Sequence, residues 1–483
     1  MARLEKASLR AELDALKGQF ERLCSDGKLG AEGRALFQAL LMLFALLMAV
    51  FMEKRTAKSS RNSSLPSSQT DKDDDSASQA GAKAKGPQER HHRSHNTRTV
   101  ESVAIIPVMA CDSCGEDLSH VPAQGCERRT RIDIVFEQVV SHVDAAIKSC
   151  PHRQAQTKGV FPPDLSGPLQ YGPGIKAYVL NLLLAQMLSL KRVQQSLHTL
   201  IDRLLSAATV LQYVMQLHQA LAAWEQAAIA QLLAQPTLHV DETSLRVARK
   251  NHWIHVYCAG DITLKFLHPQ RGRAAIESIG IIPRYGGTIV HDCWASYLAY
   301  ERCGHGLCGA HLLRELAFVV DSNGYRWAAN IKRLLQDTCA RVAERPTKCL
   351  TATEYASLRK RYRNLLTRAA KELPPIPPRQ NGKRGRLAKS DAHNLWERLK
   401  RYEDAVLLFA KLPHVPFTNN RAERDLRMSK VKQKVSGCFR TFHYAQAYCR
   451  ISSYLQTMAY RGYNPLVAIQ LALSGQLYSV GGE

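Results

Sequence analysis

Residues 238–243 read LHVDET, in which a short β-type run, Leu238 to Val240, leads directly into Asp241. Residues 289–294, IVHDCW, have the same form and lead into Asp292. Each aspartate is therefore expected at the carboxyl end of a strand, the edge at which α/β sheets place their chemistry. These two stretches predict an α/β fold with a candidate site at that edge.

A third carboxylate, Glu423, lies in FTNNRAERDLRMSKVKQK, residues 417–434. Good N-cap residues, Thr418, Asn419 and Asn420, predict a helix that begins here and holds Glu423 in its first turns. Three carboxylates brought together raise one another's pKa unless a cation lies between them. Mg²⁺ prefers oxygen ligands, and a pair of such ions can activate a nucleophile and stabilise a leaving oxygen at phosphorus. The three acids together predict nuclease or strand-transfer chemistry, although each alone is more often a turn former or a helix cap.

The sequence around these acids resembles the bacterial transposases named for insertion sequence 66, which carry a DDE catalytic triad. The resemblance runs in family order from about residue 235 to 475, with weaker similarity from about residue 58. Matched residue by residue, it implies that Asp241, Asp292 and Glu423 are the catalytic residues and bind Mg²⁺ or Mn²⁺. The blocks that carry it are HVDETSLRV, HWIHVYCAGDITLK, IIPRYGGTIVHDCWASYL, HGLCGAHLLREL, ELPPIP, KRGRLAKSDAHNLWERL and VPFTNNRAERDLRMSKVKQKVSGCFRT.

The resemblance implies an α/β ribonuclease-H-like catalytic core, preceded by a mostly helical N-terminal region and a zinc knuckle. It implies cleavage at the ends of an insertion sequence to leave a 3′-hydroxyl, and transfer of that hydroxyl to target DNA. The expected partners are double-stranded terminal inverted repeats, target DNA, a second copy of the chain and small accessory proteins of the same element. A catalytically silent DNA-binding regulator derived from a transposase remains the alternative, although all three acids are present.

Composition agrees with a nucleic-acid partner, since the formal net charge is +24 and the isoelectric point is about 9.6. The basic residues cluster in RQNGKRGRLAK, residues 379–389, and in the helix that carries Glu423. No phosphate-binding loop of the GxxxxGK[ST] type occurs, so no nucleotide cofactor is expected. The residues that we expect to contact DNA are Lys191, Arg192, Arg314, Lys383, Arg384, Arg386, Asn420, Arg424, Arg427, Lys430, Lys432 and Lys434.

The N-terminal region divides by composition. Residues 1–55 predict helices that could pair with a second copy, and residues 56–98 are too polar to form a core and predict a disordered linker. The apolar stretch 35–52 reaches the lower limit for a membrane span. Helix burial or self-association is favoured instead, because the rest of the chain predicts cytoplasmic DNA chemistry. Thirteen irregularly spaced cysteines also favour a reducing cytoplasm.

Residues 99–160 are interpreted as a zinc-binding domain because Cys111-Asp-Ser-Cys114 has the spacing of half a zinc site. The resemblance implies a second pair at CPxC, but here Cys150 is followed by Pro, His and Arg153. Two alternatives stay open. Zn²⁺ is held by Cys111, Cys114, Cys150 and either His152 or Cys126, or the site is degenerate.

The remaining chain is predicted as three regions. Residues 161–235 are helical and resemble a helix-turn-helix that breaks near Leu205 and Ser206, although simple packing of its apolar face is an alternative. Residues 236–440 form the catalytic domain, with an insertion at about 320–400, and residues 441–483 form a C-terminal helical region. A cluster at Cys303, His305, Cys308 and His311 has residue types suited to zinc, but His311 and Arg314 are expected to line the active site or to contact DNA instead.

Overall fold

The computed structural model describes residues 6–56, 103–130, 138–165, 167–376 and 389–476. The chain divides into two units, one comprising Met1–Gln88 and Ala223–Gln456, the other comprising Glu89–Ala222 and Thr457–Glu483. Each unit is thus built from two separate stretches of the chain. The linker predicted at 56–98 lies, apart from Thr56, outside the described residues, as do Lys383, Arg384 and Arg386.

The strands, in chain order, are β1 Ile147–Ser149, β2 Gln156–Lys158, β3 Thr237–Val247, β4 Lys250–Ala259, β5 Ile262–His268, β6 Thr288–His291 and β7 Gly304–Leu307. The α-helices are α1 Lys6–Ser25, α2 Ala31–Arg55, α3 Pro173–Leu180, α4 Leu190–Ile201, α5 Ala207–Ala220, α6 Ala222–Leu233, α7 Arg273–Ile279, α8 Ala295–Leu298, α9 Gly309–Asn323, α10 Arg326–Glu344, α11 Ala352–Glu372, α12 Asp391–Arg401, α13 Glu403–Lys411, α14 Asn420–Ser436, α15 Phe442–Tyr460 and α16 Pro465–Leu473. A π-helical turn, Asn181–Ala185, follows α3, and a 3₁₀ turn, Ile282–Arg284, precedes β6.

The first unit is organised around a five-stranded mixed sheet in the order β5-β4-β3-β6-β7. The first three of these strands are antiparallel neighbours, whereas β3, β6 and β7 run parallel. Apolar residues of β3 to β6, such as Val240, Val256 and Ile289, are fully buried, as expected for a sheet covered by helices. The predicted α/β class with a helical N-terminal region is therefore confirmed.

The strand that carries Asp241 is longer than predicted. It does not end before the aspartate but continues to Val247, because the residues from Asp241 onwards pair with β4, from Asp241 opposite Val256 to Val247 opposite Lys250. The parallel pairing of β3 with β6, by contrast, extends only as far as His239. Asp241 thus lies two residues beyond the part of β3 that pairs with β6, but within the part that pairs with β4.

The region predicted as an insertion, about 320–400, is largely helical and builds a second core around α9 to α13. Trp327, Leu335, Tyr362 and Leu407 are among its buried side chains. Helix α11 begins at a capping box, in which Thr351 and Glu354 satisfy each other's backbone N–H groups. Of these helices, α13 packs against β7, and Arg398 of α12 lies close enough to Asp292 for their charges to interact.

Helix α2 covers the predicted apolar stretch. One helix among the described residues, Ala31–Lys54, is long and apolar enough to cross a membrane, and 22% of its most apolar window is buried. Near its end, Glu53 is 6% exposed and accepts hydrogen bonds from the backbone N–H groups of Asp391 and Ala392 and from the side chain of Asn323. Glu53 therefore caps the amino end of α12 from outside that helix.

In the second unit, α16 packs against α3 and α5. The two helices predicted on either side of Leu205 and Ser206 are α4 and α5. Ser206 caps α5, since its hydroxyl accepts the backbone N–H of Thr209 at 3.0 Å. Val210, Val214 and Leu217 of α5 are buried, so one face of this helix is used for packing.

Candidate active site

The parallel strands place Asp241 and Asp292 side by side. His239 of β3 is opposite Val290 of β6, and two residues further along each chain lie Asp241 and Asp292. His291 of β6 is opposite Leu307 of β7, and the next residues are Asp292 and Cys308. The backbone N–H of Cys308 donates to the carbonyl oxygen of His291 at 2.8 Å, which extends that ladder. Asp241, Asp292 and Cys308 therefore form one row across three neighbouring strands.

The two aspartates share a poorly solvated environment. Asp241 Oδ1 accepts the backbone N–H of Glu242 at 2.8 Å, and Asp292 Oδ1 accepts that of Trp294 at 3.2 Å. Burial raises the pKa of Asp241 well above its usual range, and the charges of Glu242, Asp292 and Glu423 raise it further. Burial also raises the pKa of Asp292. Without a cation, this pair of carboxyls favours holding a proton.

Glu423 lies in the first turn of α14, as predicted, and faces α9. Its Oε1 atom is 3.4 Å from Nδ1 of His311 and 3.9 Å from Nη2 of Arg314. Both Glu423 Oε1 and His311 Nδ1 are buried atoms without a hydrogen-bond partner. Burial, together with the charges of Arg314 and Arg398, lowers the pKa of His311 to about 4, so its ring is neutral near pH 7.

The start of α14 is fixed by Asn419, whose side chain does not cap the helix. Its amide nitrogen donates to the carbonyl oxygen of Val240 at 2.8 Å, and its amide oxygen lies 3.0 Å from His239 Nδ1. The backbone N–H of Asn419 donates to Cys308 Sγ at 3.1 Å. Asn419 thus joins the helix of Glu423 to both the Asp241 strand and the residue that precedes α9.

Gly309 allows the close approach on which this arrangement depends. Its N–H donates to the carbonyl oxygen of Phe417 at 2.7 Å. A Cβ atom at this position would lie 2.3 Å from the Phe417 ring, which packs edge-on against Phe409. A larger residue would therefore push the segment before α14 away from α9.

An ion pair between the buried carboxylate of Glu242 and the partly exposed guanidinium of Arg271, next to Asp241, was not predicted. Arg271 donates through Nε and Nη2 to Glu242 Oε1, at 2.9 and 2.6 Å, and Tyr297 donates its hydroxyl to Glu242 Oε2 at 2.6 Å. The Arg271 guanidinium also lies against the rings of Trp253 and Trp294, 4.9 and 4.6 Å from their centroids. Only the position of Glu242 beside Asp241 could have indicated this pair, since its partners are distant in sequence.

Arginines surround the acids. Arg398 of α12 pairs with Glu315, and its charge lowers the pKa of Asp292. With Arg271 and Arg314 it gives three guanidinium groups near the carboxylates, each contributed by a different part of the chain. The site therefore combines oxygen ligands for a cation with groups that bind phosphate.

A family comparison bears directly on this site. The model of the transposase IS66 family matches residues 168–447, more than half of the chain. The chain belongs to this family. No match to the chain is found among curated proteins.

The carboxylates of this IS66-family chain suit the divalent metal that DDE transposases generally use. They offer oxygen atoms, which Mg²⁺ and Mn²⁺ prefer. One of these atoms, Glu423 Oε1, is buried without a hydrogen-bond partner, and the pKa values of both aspartates are raised. A cation bound by the aspartates would lower their raised pKa values. The ligand atoms of Asp241, Asp292 and Glu423 do not all lie within 4.8 Å of one another, however, so Glu423 would have to turn from His311 to complete such a site.

The residues expected to contact DNA differ in exposure. Arg314 is partly buried beside Glu423. Lys430 donates to the carbonyl oxygen of Ser244 at 2.6 Å, and Lys432 is 6% exposed, with its pKa lowered to about 8 by burial. The exposed members among the described residues are Lys191, Arg192, Asn420, Arg424, Arg427 and Lys434.

The predicted zinc cysteines lie on two turns with the same hydrogen bonds. Cys111 N–H donates to Glu116 and Gly115 N–H to Cys111, at 2.9 and 2.8 Å, and Cys150 and Gln154 repeat both bonds at the same distances. Arg153 occupies the place of the second cysteine in the second turn. Three metal-ligand atoms within 4.8 Å of one another occur, among the described residues, at Cys308, His311 and Glu423, and not at Cys111, Cys114 and Cys150.

Proposed function

We propose that the chain is a DNA transposase in which Asp241, Asp292 and Glu423 hold Mg²⁺ or Mn²⁺ and catalyse strand cleavage and strand transfer of an insertion sequence. The observation that carries this proposal is the equal register of Asp241, on β3, and Asp292, just after β6, with Glu423 close enough to raise the pKa of Asp241. Bound there, the metal ions would activate the attacking oxygen and stabilise the leaving oxygen at phosphorus.

The sheet supports a ribonuclease-H-like fold for the catalytic domain. Three antiparallel strands, β5-β4-β3, are extended by the parallel strands β6 and β7, and the acids lie on β3 and just after β6. The helices α10 to α12 then correspond to the insertion between Asp292 and Glu423. The family resemblance implies such a fold, with an insertion between the second aspartate and the glutamate.

The protein groups around the acids have separate roles in the proposed reaction. Asn419 holds the start of α14, the helix that carries Glu423, against β3. Arg314 and Arg398 offset the negative charge of the scissile phosphate, while Arg271 neutralises Glu242 and leaves Asp241 and Asp292 as the free acids. The buried surroundings exclude water and strengthen each of these interactions.

DNA binding is proposed along the exposed side of α14. Arg424, Arg427 and Lys434 follow Glu423 on this helix and would bind phosphates on either side of the reacting bond. Lys191 and Arg192 of α4 would make further phosphate contacts, with α5 as the reading helix for the terminal inverted repeats. A cytoplasmic homo-oligomer, assisted by small proteins of the same element, is the assembly that we propose.

Labelled duplex taken from the DNA that flanks the gene tests the proposal. The purified chain is incubated with it in Mg²⁺ or Mn²⁺, beside Asp292→Asn and beside Asp337→Asn, which alters an exposed acid of α10. We expect metal-dependent nicking at a defined end that Asp292→Asn abolishes and Asp337→Asn retains. Specific binding without cleavage, in the presence of the accessory proteins, would instead identify a silent regulator.

A further inference from the structure

We propose that Cys308, His311 and Glu423 form a second metal site, which binds a thiophilic divalent ion such as Zn²⁺ and draws Glu423 away from the two aspartates. Their ligand atoms lie within 4.8 Å of one another. The donor set of one sulfur, one imidazole nitrogen and one carboxylate oxygen suits zinc, whereas Mg²⁺ prefers oxygen ligands alone.

The spacing is close to that of a tetrahedral site. Zinc bond lengths of about 2.0–2.3 Å place neighbouring ligand atoms about 3.3–3.6 Å apart. His311 Nδ1 and Glu423 Oε1 are 3.4 Å apart, and neither atom has a hydrogen-bond partner. Two buried polar atoms at this distance can both bind one cation, which would satisfy each of them.

Burial raises the pKa of the Cys308 thiol, and the backbone N–H of Asn419, which donates to its sulfur at 3.1 Å, opposes that effect. A metal ion that binds Cys308 must therefore displace its proton. Glu423 and His311 retain 33% and 14% of their side-chain exposure, so solvent can supply a fourth ligand. Three protein ligands and one open position are typical of zinc sites that exchange ligands.

Glu423 is a ligand in both proposed metal sites, so Zn²⁺ at the second site would compete for it with the Mg²⁺ held by Asp241 and Asp292. In this structure the Oε1 atom of Glu423 lies 3.4 Å from His311 Nδ1, and its ligand atom lies within 4.8 Å of those of Cys308 and His311 but forms no such group with the two aspartates. Zn²⁺ bound here would inhibit Mg²⁺-dependent cleavage, a consequence that rests on the proposed function, whereas the binding itself does not.

Co²⁺ is a suitable probe, because bonding to a thiolate gives it a charge-transfer absorption band. The reduced full chain is titrated in a background that carries Cys111→Ser and Cys114→Ser, so that the predicted knuckle is silent. The test variant adds Cys308→Ser. The matched control adds Cys303→Ser, since Cys303 is also buried and lies five residues away, but its thiol donates to the carbonyl oxygen of Tyr300.

We expect the background chain and the Cys303→Ser control each to bind one equivalent of Co²⁺ and to show the thiolate band. Zn²⁺ should displace the Co²⁺ and remove the band. The Cys308→Ser variant should show no band. His311→Gln should weaken Co²⁺ binding by about 100-fold. Even residues that only hydrogen-bond to a metal ligand contribute about 10–100-fold to metal affinity. A band that survives Cys308→Ser, one that disappears equally with Cys303→Ser, or no band in the background would overturn the proposal.

The same titration separates this inference from the proposed function. Asp241→Asn should retain the cobalt band, because Asp241 is not one of the three ligands, while it loses cleavage. If the band behaves as expected and the unaltered chain nevertheless cleaves no DNA, the second site stands and the transposase activity fails. If the chain cleaves DNA and Zn²⁺ does not inhibit it, the competition for Glu423 is wrong.

Discussion

The side-chain amide of Asn419 donates to the carbonyl oxygen of Val240 at 2.8 Å, which links the residue before α14 to the residue before Asp241. Glu423 lies four residues beyond one end of this bond, and Asp241 lies one residue beyond the other. Asn419 is only 1% exposed, so the bond is shielded from water. An uncharged side chain therefore links the two segments that carry these carboxylates.

Asn419→Ala should loosen the position of Glu423. It leaves the carbonyl oxygen of Val240 without this donor, which we expect to lower the free energy of unfolding by about 1–3 kcal/mol. The Mg²⁺ concentration for half-maximal cleavage should rise, because the third ligand is no longer held. Urea unfolding and metal titration measure the two effects, and Asn420→Ala, at the exposed next position, is the stability control. An unchanged Mg²⁺ requirement would limit Asn419 to a structural role.

Asp241→Asn should stabilise the metal-free chain. The raised pKa of Asp241 means that ionisation costs free energy in the folded state, so stability falls as the pH rises through that pKa. Asparagine removes this cost, and we expect a gain of about 1 kcal/mol in EDTA near pH 7. Saturating Mg²⁺ should stabilise the unaltered chain, by about 2.7 kcal/mol at 100 times its Kd. Mg²⁺ should not stabilise Asp241→Asn, whereas it should stabilise the exposed-site control Asp337→Asn as much as the unaltered chain. Thermal melts with and without Mg²⁺ measure these effects.

Glu53→Ala should destabilise the chain most at acidic pH. Burial raises the pKa of Glu53, so its stabilising contribution is complete below the ordinary pKa of a glutamate and is partly lost as the pH rises through the raised value. Loss of the cap on α12 should lower the free energy of unfolding by about 1–2 kcal/mol. Urea midpoints between about pH 4 and 8 measure the difference. Glu32→Ala, at an exposed position in the first turn of α2, is the control and should give a small change.

Arg271 and Glu242 should behave as a coupled pair. Arg271→Gln leaves a buried carboxylate with Tyr297 as its remaining side-chain donor, and we expect a loss of about 1–3 kcal/mol because Arg271 is 42% exposed. Adding Glu242→Gln should recover part of this loss, with a coupling of about 0.5–3 kcal/mol. The control Arg273→Gln alters a more exposed arginine two residues away. Strictly additive effects in the double-mutant cycle would show that the two residues act independently.

Lys434 and Lys432 should differ in DNA binding although both lie on α14. Lys434 is exposed, so Lys434→Ala should reduce the slope of log binding constant against log salt concentration by about 0.9 if it contacts one phosphate. Lys432 is buried, so Lys432→Met should leave the slope unchanged. Equal changes in the two variants, measured by salt titration of duplex binding, would contradict this assignment.

Local sequence patterns predicted the elements that carry the acids. The β-type runs before Asp241 and Asp292 are strands, and the N-cap residues before Glu423 begin a helix. These predictions needed only neighbouring residues. The length of β3 was missed because it depends on pairing with β4, which a single run of residues does not reveal.

Contacts between distant residues could not be predicted. Arg271 and Tyr297 reach Glu242 from 29 and 55 positions away, and no spacing pattern connects them. The burial of Lys432, however, could have been predicted from the sequence. Ala422, Asp425, Ser429 and Lys432 recur at helical spacing and form the buried side of α14, which a count of basic residues alone does not distinguish from the exposed side.

The row formed by Asp241, Asp292 and Cys308 makes the site insensitive to loop length but sensitive to single insertions within strands. Residues could be added between Arg271 and Thr288, or at 299–303, without changing the strand register that aligns Asp241, Asp292 and Cys308, because β6 and β7 begin after these segments, at Thr288 and Gly304. One residue added between Val290 and Asp292 would instead turn the aspartate to the opposite face of the sheet. Divergence among elements of this kind should therefore accumulate as length differences between the strands, while the two-residue step from ladder to acid stays constant.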